Sequence, residues 1–353
     1  MTDIKSMTLG EITEALRAMG EPSFRGKQVF TWLHRGVTAF DQMINIPKSL
    51  REKLAREYVI TAPTVARKQV SKLDGTIKYL WELSDGNCIE TVLMSYHHGN
   101  TVCISSQVGC RMGCRFCAST IGGKVRDLRP SEMLGQLTAA SHDLGERIDG
   151  VVMMGIGEPL DNYENTVKFL HLVTSADGLN IGGRHISVST SGIVPKIYEL
   201  EKEDLAITLS ISLHAANDAR RSALMPVNRK WGIDELLTAA KHYFDATGRR
   251  VSIEYTLIAG ENDTPADAKE LAALLRRYFA RGDALHVNLI PVNPVKESGF
   301  AKGSRESVER FRESLEQSGI TATVRRTLGP DINASCGQLR RASGRKASPT
   351  GEG

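Results

Sequence analysis

The stretch from Cys110 to Cys117 reads Cys-Arg-Met-Gly-Cys-Arg-Phe-Cys, and its three thiols follow the spacing C-x3-C-x2-C. Thiolates are soft ligands that favour zinc, copper(I) and iron–sulfur clusters. A structural zinc site takes four protein ligands, commonly as two C-x2-C pairs, and the chain has no second pair. A four-iron cluster on three thiolates keeps one iron open, because full protein ligation takes four cysteines. The stretch therefore predicts a reactive iron–sulfur site, and three buried or zinc-bound cysteines are the alternative.

Phe116, the aromatic residue before the last cysteine, makes the motif more specific. With it, the stretch resembles the signature of the radical S-adenosylmethionine (SAM) superfamily. The resemblance implies that Cys110, Cys114 and Cys117 hold one [4Fe-4S] cluster and that SAM chelates the open iron. Short motifs produce false matches, so the rest of the chain has to supply the context.

The composition is that of an ordinary globular protein. The 353 residues are 41% apolar and 24% charged, which suits one large domain with an appendage. No apolar run approaches the ~18 residues of a membrane span, and the first residues lack the apolar core of a signal peptide. Six cysteines without such a signal favour a reducing compartment, so we expect a cytoplasmic protein that binds no membrane.

The net charge of +4 is unevenly distributed along the chain. Residues 1–72 carry 12 Lys and Arg against 7 Asp and Glu, and residues 325–353 carry 6 against 2. The residues between them carry 27 against 32. Basic ends around an acidic middle favour a polyanionic partner that the two ends hold. A solvated charged surface is the alternative, and charge alone does not separate the two.

The first 60 residues are predicted to be helical. Thr8 can cap a first helix, which Gly20 ends. A second helix contains Phe30 and Trp32, whose helical spacing favours a place in the core, and a third begins after Pro47.

The rest of the chain is predicted to form strands that alternate with helices. Residues 65–94 read as antiparallel strands with turns at Asp74-Gly75 and Asp85-Gly86. The following strands are predicted at 101–106, 150–155, 185–190, 206–213, 251–258 and 285–290. Helices are predicted at 131–144, 163–175, 193–201, 234–247, 265–280 and 304–318. Six β/α units predict parallel strands, and a partial (βα)6 barrel, the fold that the resemblance implies, fits them.

Candidate ligand residues lie at the ends of four of these strands, at the side where α/β folds of this kind bind ligands. They are Gly157, Glu158, Ser189, Ser212, Leu213, His214 and Asn293. Each of them alone would more often be structural. In radical SAM proteins the matching Gly-Glu turn binds the amino group of SAM, so the resemblance implies that role for Gly157 and Glu158. The hydroxyls of Ser189 and Ser212 and the ring of His214 suit the ribose and the carboxylate of SAM. Leu213 and Asn293 complete the expected SAM site.

Two further cysteines lie outside the cluster motif. Cys336 has Gly337 beside it and four arginines nearby, which suits a reactive thiolate better than a core thiol. Cys103 lies on the first predicted strand of the β/α alternation, just before the cysteine loop.

Four motifs make the chain similar, over essentially its whole length, to the bacterial dual-specificity RNA (adenine-C2)-methyltransferases. They are Ser106-Gln107-Val108-Gly109-Cys110, Gly157-Glu158-Pro159-Leu160, Val188-Ser189-Thr190-Ser191-Gly192 and Cys336-Gly337-Gln338-Leu339. Ile156 and Ser335 replace the usual Met and Ala, at positions that bind no ligand. The resemblance implies methylation of C2 of one adenosine in the peptidyl-transferase centre of 23S rRNA. It also implies methylation of the adenosine 3′ of the anticodon in some tRNAs.

The resemblance also implies a mechanism that uses two SAM molecules per turnover. Because C2 of adenine is electron-poor and does not attack the methyl group of SAM, the route is radical. Cys336 takes a methyl group from one SAM, a 5′-deoxyadenosyl radical from the second removes hydrogen from it, and the methylene radical adds to C2. Glu90 accepts the C2 proton, and Cys103 attacks the sulfur of Cys336 to give a transient disulfide. Cys88 matches no family role, and we expect it to be packed.

Three regions follow from this comparison. We expect residues 1–88 to be a mainly helical accessory domain that binds RNA, 89–325 to be the barrel, and 326–353 to be a C-terminal segment that carries Cys336 and ends in a disordered tail. The expected partners are 23S rRNA, tRNA and a one-electron donor protein such as flavodoxin. We expect a monomer.

Two other functions are compatible with parts of the sequence. A sister family methylates C8 of the same rRNA adenosine and shares the cluster and both catalytic cysteines, but its Gly-Glu turn continues with Ala where this chain has Pro159. A zinc-stabilised RNA-binding protein without catalysis is the alternative from another class. A brown, oxygen-sensitive preparation that contains iron would exclude it.

Replacing any one of Cys110, Cys114 and Cys117 by Ala is predicted to abolish both cluster binding and methylation, because a site with three thiolates has no spare ligand. Iron analysis of each variant after anaerobic reconstitution checks the first effect, and a methylation assay checks the second. Normal iron content together with full activity in any one variant would contradict the cluster assignment.

Overall fold

The computed structural model describes residues 1–293, 299–332, 334 and 339, and its first 60 residues form a helical unit. The elements of this unit are β1 (Thr2–Asp3), α1 (Leu9–Ala18), α2 (Phe24–His34), α3 (Lys48–Glu57) and β2 (Tyr58–Val59). Thr8 caps α1 as predicted: its hydroxyl accepts from the Glu11 N–H at 3.2 Å, and the Glu11 carboxylate accepts from the Thr8 N–H. Phe30 is buried, as predicted, whereas Trp32 is half-buried and donates its indole N–H to Asn45.

The rest of the described chain builds one large sheet, a short hairpin and seven helices. The strands are β3 (Thr64–Val70), β4 (Ile77–Glu82), β5 (Cys88–Tyr96), β6 (Gly99–Cys103), β7 (Gln107–Gly109), β8 (Lys124–Asp127), β9 (Gly150–Met153), β10 (Ile186–Thr190), β11 (Thr208–Ser212), β12 (Val251–Leu257), β13 (Leu285–Pro291) and β14 (Ala322–Val324). The helices are α4 (Pro130–Leu144), α5 (Tyr163–Thr174), α6 (Val194–Leu200), α7 (Asp218–Leu224), α8 (Ile233–Thr247), α9 (Pro265–Tyr278) and α10 (Arg305–Gln317).

The predicted β/α alternation is confirmed. The large sheet has ten strands in the order β14-β13-β12-β11-β10-β9-β6-β5-β4-β3, and every neighbouring pair from β6 to β14 is parallel. The six predicted strands and six predicted helices agree with the structure to within three residues at each end. Strand β14 and helix α7 were not predicted, because three and seven residues are too short to show a periodicity.

The predicted antiparallel strands are part of this same sheet. Strand β5 pairs antiparallel with β6, and β4 and β3 continue outward from β5. The sheet is therefore continuous across residue 88, where the sequence suggested a domain boundary. The edge strand β3 is largely exposed and carries Arg67 and Lys68, and charges of this kind discourage pairing with another chain.

Two hydrophobic cores meet at helix α5. The large core lies between the sheet and the helices that cover it. The smaller core belongs to the helical unit, and Leu172 of α5 is its one buried member from outside the first 60 residues. Neighbouring residues of α5, such as Leu170, belong to the large core, so this helix joins the two.

The segment after β14 is fastened to the turn between β3 and β4. Asp331 accepts from the Ser71 hydroxyl at 2.7 Å and from the Lys72 N–H at 2.9 Å, and the Gly329 N–H donates to Asp74 at 2.8 Å. The predicted position of Cys336 and the tail from 340 onward lie outside the described residues. No helix in the described part of the chain is long and apolar enough to span a bilayer.

Replacing Leu172 by Ala is predicted to cost about 2–5 kcal/mol of unfolding free energy, because it leaves a cavity where the helical unit packs on α5. Urea unfolding followed by circular dichroism measures this cost. The matched control is Leu73→Ala, whose side chain is 71% exposed and whose loss should change stability by no more than about 0.5 kcal/mol. Equal effects of the two substitutions would contradict the packing role of Leu172.

Candidate active site

The cysteine loop is closed at its base by the hairpin of β7 and β8. Gly109 ends β7 with φ of 80°, and a Cβ there would lie 2.0 Å from the carbonyl oxygen of Gly123, so only glycine fits. The Cys110 N–H donates to that same carbonyl at 3.1 Å. Within the loop, the Cys117 N–H donates to the Cys114 carbonyl at 3.1 Å. These backbone hydrogen bonds fix the positions from which the cysteine side chains of the loop extend.

The surroundings of the three thiols fit an iron–sulfur cluster. Burial, together with the neighbouring negative charges, raises the pKa of Cys110 to about 12. Burial and the two neighbouring thiolates raise the pKa of Cys114 well above its usual value. Thiols in such a place ionise when a cationic metal centre compensates their charge. No three Cys, His, Asp or Glu side chains in the described part of the chain converge on the position of one metal ion. A cubane does not need such a convergence, because each thiolate binds its own iron.

Asp161 fastens the base of the cysteine loop to the turn after β9. Its carboxylate accepts from Gln107 at 2.8 Å and from Lys124 at 3.0 Å, and it pairs with Arg111 inside the cysteine motif. Burial opposes ionisation of Asp161, yet these three donors hold its pKa below the usual value. No sequence pattern indicated the role of Asp161, because a single Asp after a turn is common.

The turn from Gly155 to Glu158 packs tightly against the start of the cysteine loop. Gly157 has φ of 113°, and a Cβ there would lie 2.7 Å from the side chain of Gln107. The buried carboxylate of Glu158 accepts from the backbone N–H groups of Leu160 at 3.0 Å and Ser191 at 2.7 Å. Burial raises its pKa. Glu158 thus joins the ends of β9 and β10, and its predicted contact with the amino group of SAM stays a prediction.

The predicted serines lie side by side on neighbouring strands. The hydroxyls of Ser189 on β10 and Ser212 on β11 are 3.3 Å apart, and both residues are partly exposed. The side chain of Leu213, in contrast, belongs to the large hydrophobic core, and its carbonyl accepts from Arg221 at 3.1 Å. Any contribution of Leu213 to a ligand site therefore comes from its backbone.

His214 is held in one orientation beside the cysteine loop. Its backbone is left-handed, with φ of 59°, and its Nδ1 accepts from the Thr256 N–H at 2.9 Å. Burial lowers its pKa to about 3, so the ring is neutral and carries its proton on Nε2. The ring meets Phe116 of the cysteine motif edge to face, with 4.8 Å between centroids. His214 therefore offers one neutral N–H donor.

Arg221 is a fully buried arginine that sequence reasoning missed. It donates to the carbonyls of Leu213, Ser191 and Ser212 and to the side chain of Asn228. Burial lowers its pKa to about 10, so it stays charged at neutral pH. Arg221 thereby ties the ends of β10 and β11 together behind the serines. In the sequence Arg221 follows Arg220, and a pair of arginines is typical of an exposed helix surface. Nothing in the sequence therefore indicated that Arg221 is buried.

A cavity of about 480 Å³ connects the cysteine loop with Cys103. Its lining includes Cys117, Cys103, Asn293, Arg325 and Ala334. A space of this size suits a small molecule or an extruded nucleobase. One cavity is therefore lined by Cys117, a predicted cluster ligand, by Asn293, a predicted SAM ligand, and by Cys103, the predicted resolving thiol.

Glu90 lies beside this cavity, on the same face of the sheet. Val92 and Met94 of β5 line the cavity, and side chains two residues apart on a strand share a face. Val92 pairs with Cys103 across β5 and β6. The Glu90 carboxylate is buried and pairs with Lys78 of β4 at 3.0 Å.

The chain on both sides of Cys336 lies against this face. Ala334 packs with Val92 and Cys103. Leu339 packs with Leu80 of β4 and with Cys88, which is a packed thiol as predicted. Cys336 itself stands between them in the sequence, outside the described residues.

Comparisons with known proteins agree with this arrangement. A model of the radical SAM superfamily matches residues 104–275, and one described as the ribosomal RNA large subunit methyltransferase N-terminal domain matches residues 2–60. A protein of Lachnoclostridium phytofermentans, called probable dual-specificity RNA methyltransferase RlmN, is 52% identical over 96% of this chain and 94% of its own. A protein of the same name from Alkaliphilus oremlandii is 53% identical over 96% of this chain and 97% of its own.

A solved structure is similar over nearly the whole chain as well. It is a radical SAM methyltransferase from Sphaerobacter thermophilus, with a TM-score of 0.89 and 45% sequence identity over 96% of this chain and 99% of its own. The predicted fold is therefore confirmed.

Replacing Arg221 by Met is predicted to destabilise the protein by about 3 kcal/mol or more, because four buried acceptors lose their donor. Chemical unfolding measures the loss. The neighbouring substitution Arg220→Met is the control, since Arg220 is half-exposed and its ion pair with Asp267 should contribute about 1 kcal/mol at most. A cost for Arg221→Met no larger than that of the control would show that the strand ends do not depend on it.

Proposed function

This chain belongs to the dual-specificity RNA methyltransferase family of the radical SAM superfamily, and we propose that it methylates C2 of adenosine in two RNAs. The substrates are an adenosine in the peptidyl-transferase centre of 23S rRNA and the adenosine 3′ of the anticodon in some tRNAs. The observation that supports this best is the single cavity that the cysteine loop and Cys103 share, with Glu90 and the flanks of Cys336 on the same face of the sheet.

The cysteine loop and the strand ends supply the cofactor sites of this proposal. Cys110, Cys114 and Cys117 hold the [4Fe-4S] cluster, and the SAM ligands are Gly157, Glu158, Ser189, Ser212, the backbone of Leu213, His214 and Asn293. When bound, cluster and SAM supply one-electron chemistry that yields a carbon radical able to remove hydrogen from a methyl group. A second SAM per turnover supplies that methyl group.

Cys336 carries the methyl group in this proposal. Ala334 packs with Cys103 and Leu339 packs with Cys88, so two residues that flank Cys336 in the sequence lie on the face that bears Glu90. A one-carbon unit on the sulfur of Cys336 can then bond to C2 of an adenine in the cavity. The RNA is linked covalently to Cys336 until that sulfur–carbon bond breaks.

Glu90 and Cys103 release the product. The Glu90 carboxylate accepts the C2 proton, and its burial beside the cavity keeps bulk water from competing for it. The Cys103 thiolate then attacks the sulfur of Cys336: a sulfur–sulfur bond forms, and the bond from sulfur to the methylene carbon breaks. That carbon keeps the electron pair and takes up one proton, which makes it the methyl group on C2. Cys103 is buried and lines the cavity, which suits a thiol reserved for one sulfur partner.

In this proposal the two basic ends of the chain bind the RNA. The accessory region, which we delimit at residue 88, and the segment after 325 both carry excess positive charge. The β3–β4 turn also fastens the segment after β14 through Ser71 and Lys72, so the two basic regions meet. We place the protein in the cytoplasm, as a monomer, with a one-electron donor protein such as flavodoxin as its reductant.

Methylation at C8 is the second candidate, and Pro159 favours C2 over it. Pro159 opens the short helical turn that presents Asp161 to the cysteine loop, and the resemblance associates Ala at this position with C8. Mass mapping of methyladenosine isomers in rRNA from a deletion strain decides between the two. Loss of 2-methyladenosine is the expected result, and loss of 8-methyladenosine would overturn the C2 proposal.

Cys103→Ala is predicted to halt the reaction after the carbon–carbon bond has formed, leaving RNA covalently trapped on the protein. Cys336→Ala removes the methyl carrier and should give neither product nor adduct. Incubation of each variant with RNA, SAM and reductant, followed by denaturing gel electrophoresis, detects the adduct. Cys88→Ala is the matched control, because it removes a packed thiol from the same face.

The difference between the two variants tests the mechanism. A structural disulfide would make both substitutions behave alike, and direct methyl transfer would trap RNA in neither. The mechanism is falsified if Cys103→Ala yields free methylated RNA at the wild-type rate, or if Cys336→Ala still methylates.

A further inference from the structure

Lys78 and Glu90 form an ion pair that is sealed inside the protein. The Lys78 ammonium lies 3.0 Å from Glu90 Oε2, and neither side chain has any solvent-exposed surface. Lys78 is on β4 and Glu90 on β5, and the two are diagonal neighbours on the face that lines the cavity. Among the ion pairs between described residues, this is the one whose two side chains are both fully buried.

A fully buried ion pair is a weak contributor to the stability of a fold. Two charges lose their hydration on burial, and their mutual attraction often fails to compensate for that loss. The neighbours Leu80, Val92 and Met94 on the same face show that this region accepts apolar side chains. Replacing a buried ion pair by two apolar residues is often neutral or stabilising, so stability alone does not account for these charges.

Glu90 needs a neighbouring cation to act as a base here. A carboxylate that is buried without a counter-charge favours its neutral, protonated form, and a protonated Glu90 could not accept a proton. Lys78 supplies such a cation, 3.0 Å from Glu90 Oε2. The other titratable groups that neighbour Glu90 on this face are Glu82 of β4, Cys88 of β5, Cys103 of β6 and, across the cavity, Arg325.

Resting on the proposed function, we propose that Lys78 is a positioning residue that keeps the Glu90 carboxylate charged and fixed in place to receive the C2 proton. The ammonium holds Oε2 and so sets the side-chain rotamer of Glu90. In the step itself the C2–H bond breaks, its electron pair stays on the adenine, and the proton bonds to a carboxylate oxygen of Glu90. The unpaired electron of the adduct passes to a one-electron acceptor, such as an oxidised iron–sulfur cluster. Lys78 keeps all its protons and touches no reacting atom.

The charge of the pair also favours the next turnover. Before the transfer the pair has no net charge, and afterwards it carries one positive charge in a buried place. Because a buried net charge is unfavourable, the pair tends to pass the proton on. Lys78 therefore favours both the charged form of Glu90 before the step and the loss of the proton after it.

A double-mutant cycle tests this role. The variants are Lys78→Met, Glu90→Gln and the two combined, and the measured quantity is the rate at which the protein–RNA adduct releases methylated RNA. Lys78→Met is expected to slow release by about 10- to 100-fold. On the Glu90→Gln background the same substitution should change the rate less than about twofold, because Lys78 acts only through Glu90. An equal loss on both backgrounds would overturn the proposal.

Rescue by a conservative variant gives a readout that a purely structural role would not move. Lys78→Arg restores a cation beside Glu90 and should bring the rate of release most of the way back to that of the wild type. Lys78→Met, which has no charge, should stay slow. Equal rates of release by Lys78→Arg and Lys78→Met would overturn the proposal.

Two controls show whether a negative result comes from a misfolded variant, from failure of the proposed function or from failure of this inference. Lys241→Met removes a lysine from an ion pair on the outer helix α8 and should leave release unchanged. If Lys78→Met does not fold, Lys78→Gln enters the same cycle with the same criteria. If the wild-type protein forms neither methylated Cys336 nor 2-methyladenosine, the proposed function fails. If it forms both while the cycle is additive, only the role of Lys78 fails.

Discussion

The antiparallel pairing of β5 with β6 is the interaction on which the arrangement of this protein depends. It joins three antiparallel strands to the seven parallel ones, and its register sets Val92 opposite Cys103. A shift by one residue would turn Glu90 and Val92 to the helix-covered face and break the grouping beside the cavity. The hydrogen bonds between the two strands thus hold in place a carboxylate and a thiol that are 13 positions apart in the sequence.

The same pairing explains why the C-terminal segment returns to the start of the sheet. Asp331 binds the turn between β3 and β4, and Ala334 and Leu339 pack on β4, β5 and β6. The antiparallel strands therefore serve as a platform for the chain around Cys336. The helical unit packs elsewhere, through Leu172 of α5, so the two ends of the chain reach the sheet by different routes.

The interior of the site is rigid because its buried charges bond to backbone and to one another. Glu158 and Arg221 join neighbouring strand ends, and Asp161 fixes the base of the cysteine loop. Unpaired, each of these groups would oppose folding, whereas paired they define one arrangement of the loops. Radical chemistry benefits from such rigidity, because the reacting groups have to stay aligned and water has to stay out.

The sequence by itself determined the local features of this protein. The cysteine spacing, the alternation of strands with helices and the cap at Thr8 depend on residues close together along the chain, so they could be predicted. The resemblance carried by four short motifs predicted the candidate site, of which Cys103, Cys117 and Asn293 line one cavity. The roles of these residues stay predictions. Only the tertiary structure decided which distant residues meet. That Lys78 pairs with Glu90, that Arg221 lies behind Ser212, and that the β3–β4 turn binds Asp331 depends on strand order and register, which no local pattern encodes.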